Sequence, residues 1–376
     1  MPNFVLLPNV PPRALCAATP CWQHNVCART RSPARPIVAM VVLLATGGYD
    51  ATVRLWDASS GMCYRTLSHP DRQVNTLCIS PDKKMIAAGG NGTIKLYDVN
   101  SSSPEPVVSY DEHKGNVTCI GFQRHGRWMY SCSEDGTTKI WDLRAPSYHR
   151  DYECRSAVNT VVLHPNQGDL ITGDHSGAVR VWDLTANRCV NELVPDGETP
   201  ISNISVASDA SMCVAANYNG NCFFWTPLSS EEYMPIKKLE VHKAYVLSCR
   251  LSPDVRFLAT TSSDHTVKLW NVRDYSLAAT LAGHTKWVWD CAFSADSSYL
   301  VTASSDAYAK LWEVTSNEVV RTYSGHSKGI TAVALNDAAP IESDGMGLQD
   351  DDVVLSDRYT ANSYLDERLR ELGVKT

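Results

Sequence analysis

Residues 53–57 read Val-Arg-Leu-Trp-Asp, an apolar run closed by an aromatic residue and an acid, and the chain repeats this run six more times. The copies end at Tyr97 (IKLYD), Trp141 (TKIWD), Trp182 (VRVWD), Trp225 (CFFWT), Trp270 (VKLWN) and Trp312 (AKLWE). Steps of 41, 44, 41, 43, 45 and 42 residues separate the aromatics. That period matches a propeller blade of four strands, with the aromatic–acid pair closing the third strand. The sequence predicts an all-β ring of seven blades.

A second periodicity runs in step with the first. Six residues before each aromatic stands Asp50, Asn91, Asp135, Ser176, Asn219, Asp264 or Asp306. Short polar side chains bond to local backbone and favour tight turns, which places a hairpin there. Twenty-eight residues before the aromatic, four repeats carry a histidine: His69, His113, His242 and His284. The first repeat has no such histidine and no apolar run before Val41, where Pro stands at 2, 8, 11, 12, 20, 33 and 36. The missing piece lies at the other end, in GHSKGITAVAL from Gly325 to Leu335, with His326 but no aromatic–acid pair after it. This late strand is expected to insert beside the strands around 42–47, 52–56 and 62–67. Closing the ring from both ends of the chain removes the open edges that would template aggregation.

Composition narrows the function. A net charge of −7 argues against a non-specific nucleic-acid binder, which would present a basic face. No apolar run approaches the roughly 20 residues needed to span a bilayer. The thirteen cysteines include no C-x-x-C pair, so no structural zinc is expected. Cys119, Cys249 and Cys291 sit in apolar strand-like runs, where a free thiol behaves as a small hydrophobe. These features describe a reduced, intracellular protein with no cofactor, metal or small-molecule substrate.

The ends differ from the repeats. Residues 1–40 hold Arg13, Arg29, Arg31 and Arg35 and no acid, as an organellar transit peptide would. The prolines would break an amphipathic helix, so a disordered extension, or an upstream stretch with Met40 as the working start, is the plainer reading. Residues 338–376 form an acidic tail with Asp350, Asp351 and Asp352 in a row, expected to be solvated and mostly disordered. A short helix near 364–372 would place Leu365, Leu369 and Leu372 on one face. The propeller itself is assigned to 41–337.

A propeller presents the starts of its innermost strands around the mouth of its central channel. Aligning the repeats puts Gln73 and Asn75, Asn116 and Thr118, Ala157 and Asn159, Tyr245 and Leu247, Trp287 and Trp289, and Gly329 and Thr331 at equivalent positions there. Trp287 and Trp289 bring two large aromatics to one side of a strand start. Tryptophan anchors beside adaptable amides are the composition of a protein-interface hot spot.

The repeats resemble those of WD-repeat proteins, in which a His, Ser, Asp and Trp network is built inside the blade. The resemblance implies three such networks: His113–Ser133–Asp135–Trp141, His242–Ser262–Asp264–Trp270 and His284–Ser304–Asp306–Trp312. A Ser-His-Asp set invites a hydrolase reading, but three copies at blade period fit polar groups satisfied in a core better than one exposed nucleophile. No catalytic residue is expected.

More narrowly, residues 41–66 (VVLLATGGYDATVRLWDASSGMCYRT), 126–146 (GRWMYSCSEDGTTKIWDLRAP), 157–167 (AVNTVVLHPNQ) and 287–306 (WVWDCAFSADSSYLVTASSD) resemble the WD-repeat subunits of target-of-rapamycin (TOR) kinase complexes. The likeness spans about Val41 to Asp337. It implies a non-enzymatic subunit that binds and stabilises the TOR kinase domain, reaches the other complex subunits through it, and serves nutrient and growth signalling. It also implies a cytoplasmic protein, peripheral on endomembranes through the complex. Gln73, Asn75, Trp287 and Trp289 match kinase-contacting positions, and Asn116, Asn159 and Tyr245 extend the same rim. A second reading rests on Trp141-Asp142-Leu143-Arg144, and on Trp270-Asn271-Val272-Arg273. The former resembles the box by which some WD-repeat substrate receptors dock onto cullin-type ubiquitin ligases.

Overall fold

A computed structural model describes residues 42–145 and 147–338. The expected N-terminal extension, the acidic tail and its short helix lie outside the described residues. Among the described residues there are 29 strands and no helix, hence none long and apolar enough to cross a membrane. Twenty-eight strands form seven four-stranded antiparallel sheets, and the short strand Pro195–Glu198 stands apart. The chain is a seven-bladed β-propeller.

Blade 1 is closed as the sequence predicts. Its inner strand is Ile330–Asn336, paired antiparallel with Leu43–Gly48, and Thr52–Trp56 and Cys63–Ser68 complete it. Blades 2 to 7 follow in chain order, with inner strands Thr76–Ile79, Val117–Phe122, Val158–Leu163, Ile201–Val206, Val246–Leu251 and Val288–Phe293. The molecule has no single core. Buried apolar side chains gather in seven clusters, each filled from two neighbouring blades, so every blade buries its faces only against its neighbours. The repeated aromatics belong to these seams: Trp56, Tyr97, Trp141 and Trp312 are at most 2% exposed.

The networks exist, with one correction. In blade 3 the hydroxyl between histidine and tryptophan is that of Ser131, not Ser133. Ser131 Oγ accepts the Trp141 indole N–H at 2.8 Å and faces His113 Nε2 at 2.8 Å, while His113 Nδ1 meets Asp135 at 3.1 Å. Thr260 takes the same place in blade 6, between His242 and Trp270, instead of Ser262. Thr302 does so in blade 7, between His284 and Trp312, instead of Ser304. The reason is geometric. Side chains two apart on a strand share a face, and the indole reaches the residue ten before it rather than eight. Ser133, Ser262 and Ser304 instead cap the hairpin, accepting the backbone N–H of Asp135, Asp264 and Asp306 at 3.1–3.2 Å.

A fourth network completes blade 1 from both ends of the chain. His326 Nε2 meets Thr46 Oγ1 at 2.8 Å, Trp56 Nε1 donates to Thr46 at 2.7 Å, and His326 Nδ1 lies 2.9 Å from Asp50. The bonding fits a neutral imidazole that donates from Nδ1 to Asp50 and accepts at Nε2. Burial holds His326 and His242 below the usual histidine range, against the pull of Asp50 and Asp264. These hydroxyls are saturated, and Ser131, Thr46, Thr260 and Thr302 have no exposed surface, so no substrate reaches them.

Candidate partner-binding face

The inner strands of blades 3 to 7 begin with a backbone irregularity that sets the rim. Register shifts fall between Val117 and Cys119, Val158 and Thr160, Ile201 and Asn203, Val246 and Ser248, and Val288 and Asp290. Thr118, Asn159, Ser202, Leu247 and Trp289 are therefore bulge residues, freed from the ladder to aim elsewhere. In six blades the residue before the inner strand offers its carbonyl to the hairpin between the second and third strands. Tyr49 N donates to Gly329 O at 2.9 Å, Glu134 N to Asn116 O at 3.0 Å and His175 N to Ala157 O at 2.8 Å. Tyr218, Ser263 and Ser305 do the same toward Pro200, Tyr245 and Trp287. Six blades thus carry two rim positions tied together, on one face of the ring.

The expected residues divide by what surrounds them. Trp287 is 42% exposed and Tyr245 54%, large fractions for aromatic side chains. Trp289 is half-buried, its indole N–H donating to Ser305 Oγ at 2.6 Å, and its ring stands 5.6 Å from that of Trp287 and 6.4 Å from that of Tyr49. Trp289 is thereby locked, and Trp287 rests on it facing solvent. Across blade 1, Gln73 and Asn75 flank Val74, whose carbonyl accepts from Thr331 Oγ1. Asn75 bonds the Gly90 carbonyl at 3.3 Å. The amide of Asn116 donates to Glu134 at 2.9 Å, and that of Asn159 to the Ile201 carbonyl of the next blade at 2.7 Å. Asn159 therefore also ties blade 4 to blade 5.

Alignment of the strand starts misses the second rim position. Tyr218 packs between His175 at 6.4 Å and Tyr245 at 5.5 Å, and burial raises the phenols of Tyr49 and Tyr218. The signal was present: seven residues before the repeat aromatics stand Tyr49, Gly90, Glu134, His175, Tyr218, Ser263 and Ser305. The rim is consequently asymmetric. Aromatic groups occupy blades 4 to 7 and blade 1, whereas blades 2 and 3 present Gln73, Asn75, Gly90, Asn116 and Glu134. On the opposite face, Arg144 of the Trp-Asp-x-Arg stretch forks onto its own neighbour Asp142, 3.0 Å away, and Trp141 is fully buried.

A family model described as the IFT122 first beta-propeller matches residues 73–341, and the WD domain, G-beta repeat, matches residues 32–57. The target of rapamycin complex subunit wat1 of Schizosaccharomyces pombe is 52% identical over 238 residues, which are 62% of this chain and 76% of that protein. The chain belongs to the LST8 family of WD-repeat proteins. Another LST8 relative, the target of rapamycin complex subunit LST8-1 of Arabidopsis thaliana, is 52% identical over 246 residues, 64% of this chain and 81% of the relative. The LST8 subunit of Saccharomyces cerevisiae is 49% identical over 248 residues, 65% of this chain and 82% of the relative. These LST8 proteins are named for a TOR complex and not for a ubiquitin ligase. LST8 membership and the propeller fold point to a non-catalytic scaffold subunit.

Proposed function

We propose that this chain is a non-catalytic subunit of TOR complexes that binds the TOR kinase domain through the rim of blades 7, 1 and 2. In this reading Trp287 and Trp289 are buried by the kinase, while Gln73 and Asn75 hold register with their amides. Asn116, Asn159 and Tyr245 widen the contact. By ordering the kinase domain the propeller stabilises its active arrangement, and so acts in nutrient and growth signalling. It works in the cytoplasm, or on endomembranes when the complex is there. The observation that carries the reading is the exposed Trp287 seated on the locked Trp289, in a chain whose relatives are named as TOR complex subunits.

Replacing Trp287 and Trp289 together by Ala tests it. Truncating a central interface tryptophan costs at least about 2 kcal/mol, or roughly 30-fold in affinity. The double variant is expected to melt near the wild-type temperature and to lose co-purification with the kinase. Normal melting with undiminished co-purification would remove the site.

A further inference from the structure

Cys119 and Cys132 oppose one another on the two innermost strands of blade 3, as register partners between Val117–Phe122 and Trp128–Ser133. Directly opposed residues of an antiparallel pair stand about 4.5–5.5 Å apart at Cα, with side chains on one face. That separation falls within the ~4.4–6.8 Å that a disulfide bridges. We propose that Cys119 and Cys132 form a reversible thiol–disulfide modification site that reacts with a small hydroperoxide. Among the described residues no other two cysteines are register partners. Cys78 faces Ala87, Cys249 faces Thr260 and Cys291 faces Thr302.

The two thiols are built differently. Cys119 is half-buried, its thiol donating to the Val161 carbonyl of blade 4 at 3.4 Å, whereas Cys132 has no exposed surface. The neighbouring Cys132 thiol and the positive field of the Arg250 guanidinium both favour the Cys119 thiolate. Together they hold the Cys119 thiol below its usual range although burial opposes them. Burial pushes Cys132 up. Arg250 belongs to the innermost strand of blade 6, and its field also acts on Cys249 and on Asp290 and Cys291 of blade 7. Its nearest carboxylate, Asp290, lies 3.9 Å away. One thiol is poised to attack and its neighbour to resolve, the division of labour that reactive cysteine pairs use.

The chemistry balances. The Cys119 thiolate attacks one peroxide oxygen, the O–O bond breaks, and the departing alkoxide or hydroxide takes up a proton. Cys119 is left as a sulfenic acid. The Cys132 sulfur then attacks the Cys119 sulfur, and the hydroxyl departs as water with the Cys132 proton. Two thiols and one hydroperoxide give one disulfide, one alcohol or water, and one water. The bridge would draw Cys132 away from Thr118, whose Oγ1 lies 3.2 Å from its sulfur and also joins blade 3 to the Val158 carbonyl of blade 4 at 2.7 Å.

The test uses the full chain treated with hydrogen peroxide, then alkylated and digested with trypsin. Cleavage after Lys114, Arg124, Arg127 and Lys139 puts the two cysteines on separate peptides, 115–124 and 128–139. A linked 115–124/128–139 species that disappears on reduction is expected. Recovery of both peptides singly alkylated, while other cysteines oxidise, would overturn the assignment without recourse to any variant. In Cys132→Ser the Cys119 sulfenic acid should persist and be captured by dimedone, and failure to capture it counts against the sequence of steps. Arg250→Gln should slow formation of the linked species, up to about tenfold if the Cys119 thiol rises by one unit. An unchanged rate would overturn the part assigned to Arg250 in activating Cys119.

Discussion

Blade 1 and blade 4 solve the same problem with different chemistry. In both, the repeat tryptophan donates its indole N–H to a threonine ten residues earlier: Trp56 to Thr46 at 2.7 Å, Trp182 to Thr172 at 2.9 Å. Beyond that bond they diverge. Blade 1 continues through the neutral His326 to Asp50. Blade 4 has Cys154 at the histidine position, 3.9 Å from Thr172, and closes its hairpin with a buried Arg180–Asp174 ion pair, to which Glu192 adds a second carboxylate at 3.3 Å. What the two blades share is therefore the indole–hydroxyl bond, and the histidine is one of two ways they finish it. The partners in blade 4 are neighbours in sequence, whereas His326 comes from 280 residues beyond Thr46. Blade 4 is locally specified, and blade 1 exists only when the ring closes.

The largest expected effect separates these dependences. Removing the chain from Gly325 onward takes away His326, Ile330 and Val333, and burial of the last two side chains alone contributes about 3–6 kcal/mol. Loss of the closing strand on top of that should exhaust the ~5–15 kcal/mol that holds a typical domain folded. Removing only 339–376 should leave the thermal melt unchanged. A cooperative, wild-type melt for the longer truncation would break the comparison at its root.

Next in size is the blade 4 ion pair. Asp174→Asn leaves the buried Arg180 guanidinium with only the more exposed Glu192 as charge partner and should cost up to about 3–5 kcal/mol in urea unfolding. The matching change in blade 1, Asp50→Asn, faces a neutral imidazole and should cost distinctly less. Equal losses would show that both blades rest on charge pairing.

Removing the shared hydroxyl comes third. Ser131→Ala leaves both the Trp141 N–H and the His113 ring nitrogen unmatched and should cost about 1–3 kcal/mol. Ser133→Ala loses one hairpin cap and should fall at or below the lower end of that range. A larger loss at Ser133 would restore the serine to the network.

The smallest effect is a pH step. Because burial holds His326 below the unfolded value of about 6.5, the unfolded chain binds more protons as pH falls through that range. Stability should decline below about pH 6.5. The second decline comes under about pH 4, where the Asp50 carboxylate, held low by Thr52 and His326 against the effect of burial, takes up a proton. His326→Gln should reduce the first decline, to which His69, His164 and His242, also held low by burial, contribute their own shares. Asp174→Asn in blade 4 should not reduce it, both variants being measured as the urea midpoint against pH.

The ring, its seven blades and its closure were legible because a period of 41–45 residues is long-range order written directly in the chain. The two-residue slip in the networks was not. Ser131-Cys132-Ser133 offers a hydroxyl at both places, and Thr260-Thr261-Ser262 and Thr302-Ala303-Ser304 repeat the ambiguity. Only the reach of the indole decides it. The rim was half legible. Repeat alignment finds Trp287 and Trp289, but the bulge that frees Trp289 is a backbone event with no signature in residue type, and only that bulge brings its indole to the Ser305 hydroxyl that locks it. Tyr49 and Tyr218 were overlooked because they stand just before turn residues and belong to no apolar run.

The hydrogen bond between Thr46 and His326 also sets a clock. A ribosome adding about 5–20 residues per second needs roughly 14–56 s to pass from one to the other. Throughout that interval Leu43–Gly48 can pair on one side only, because its other neighbour, Ile330–Asn336, has not been made. The first-made strand of the propeller is thus the last to become native, and it waits with an open strand edge, the feature most prone to recruit a wrong partner.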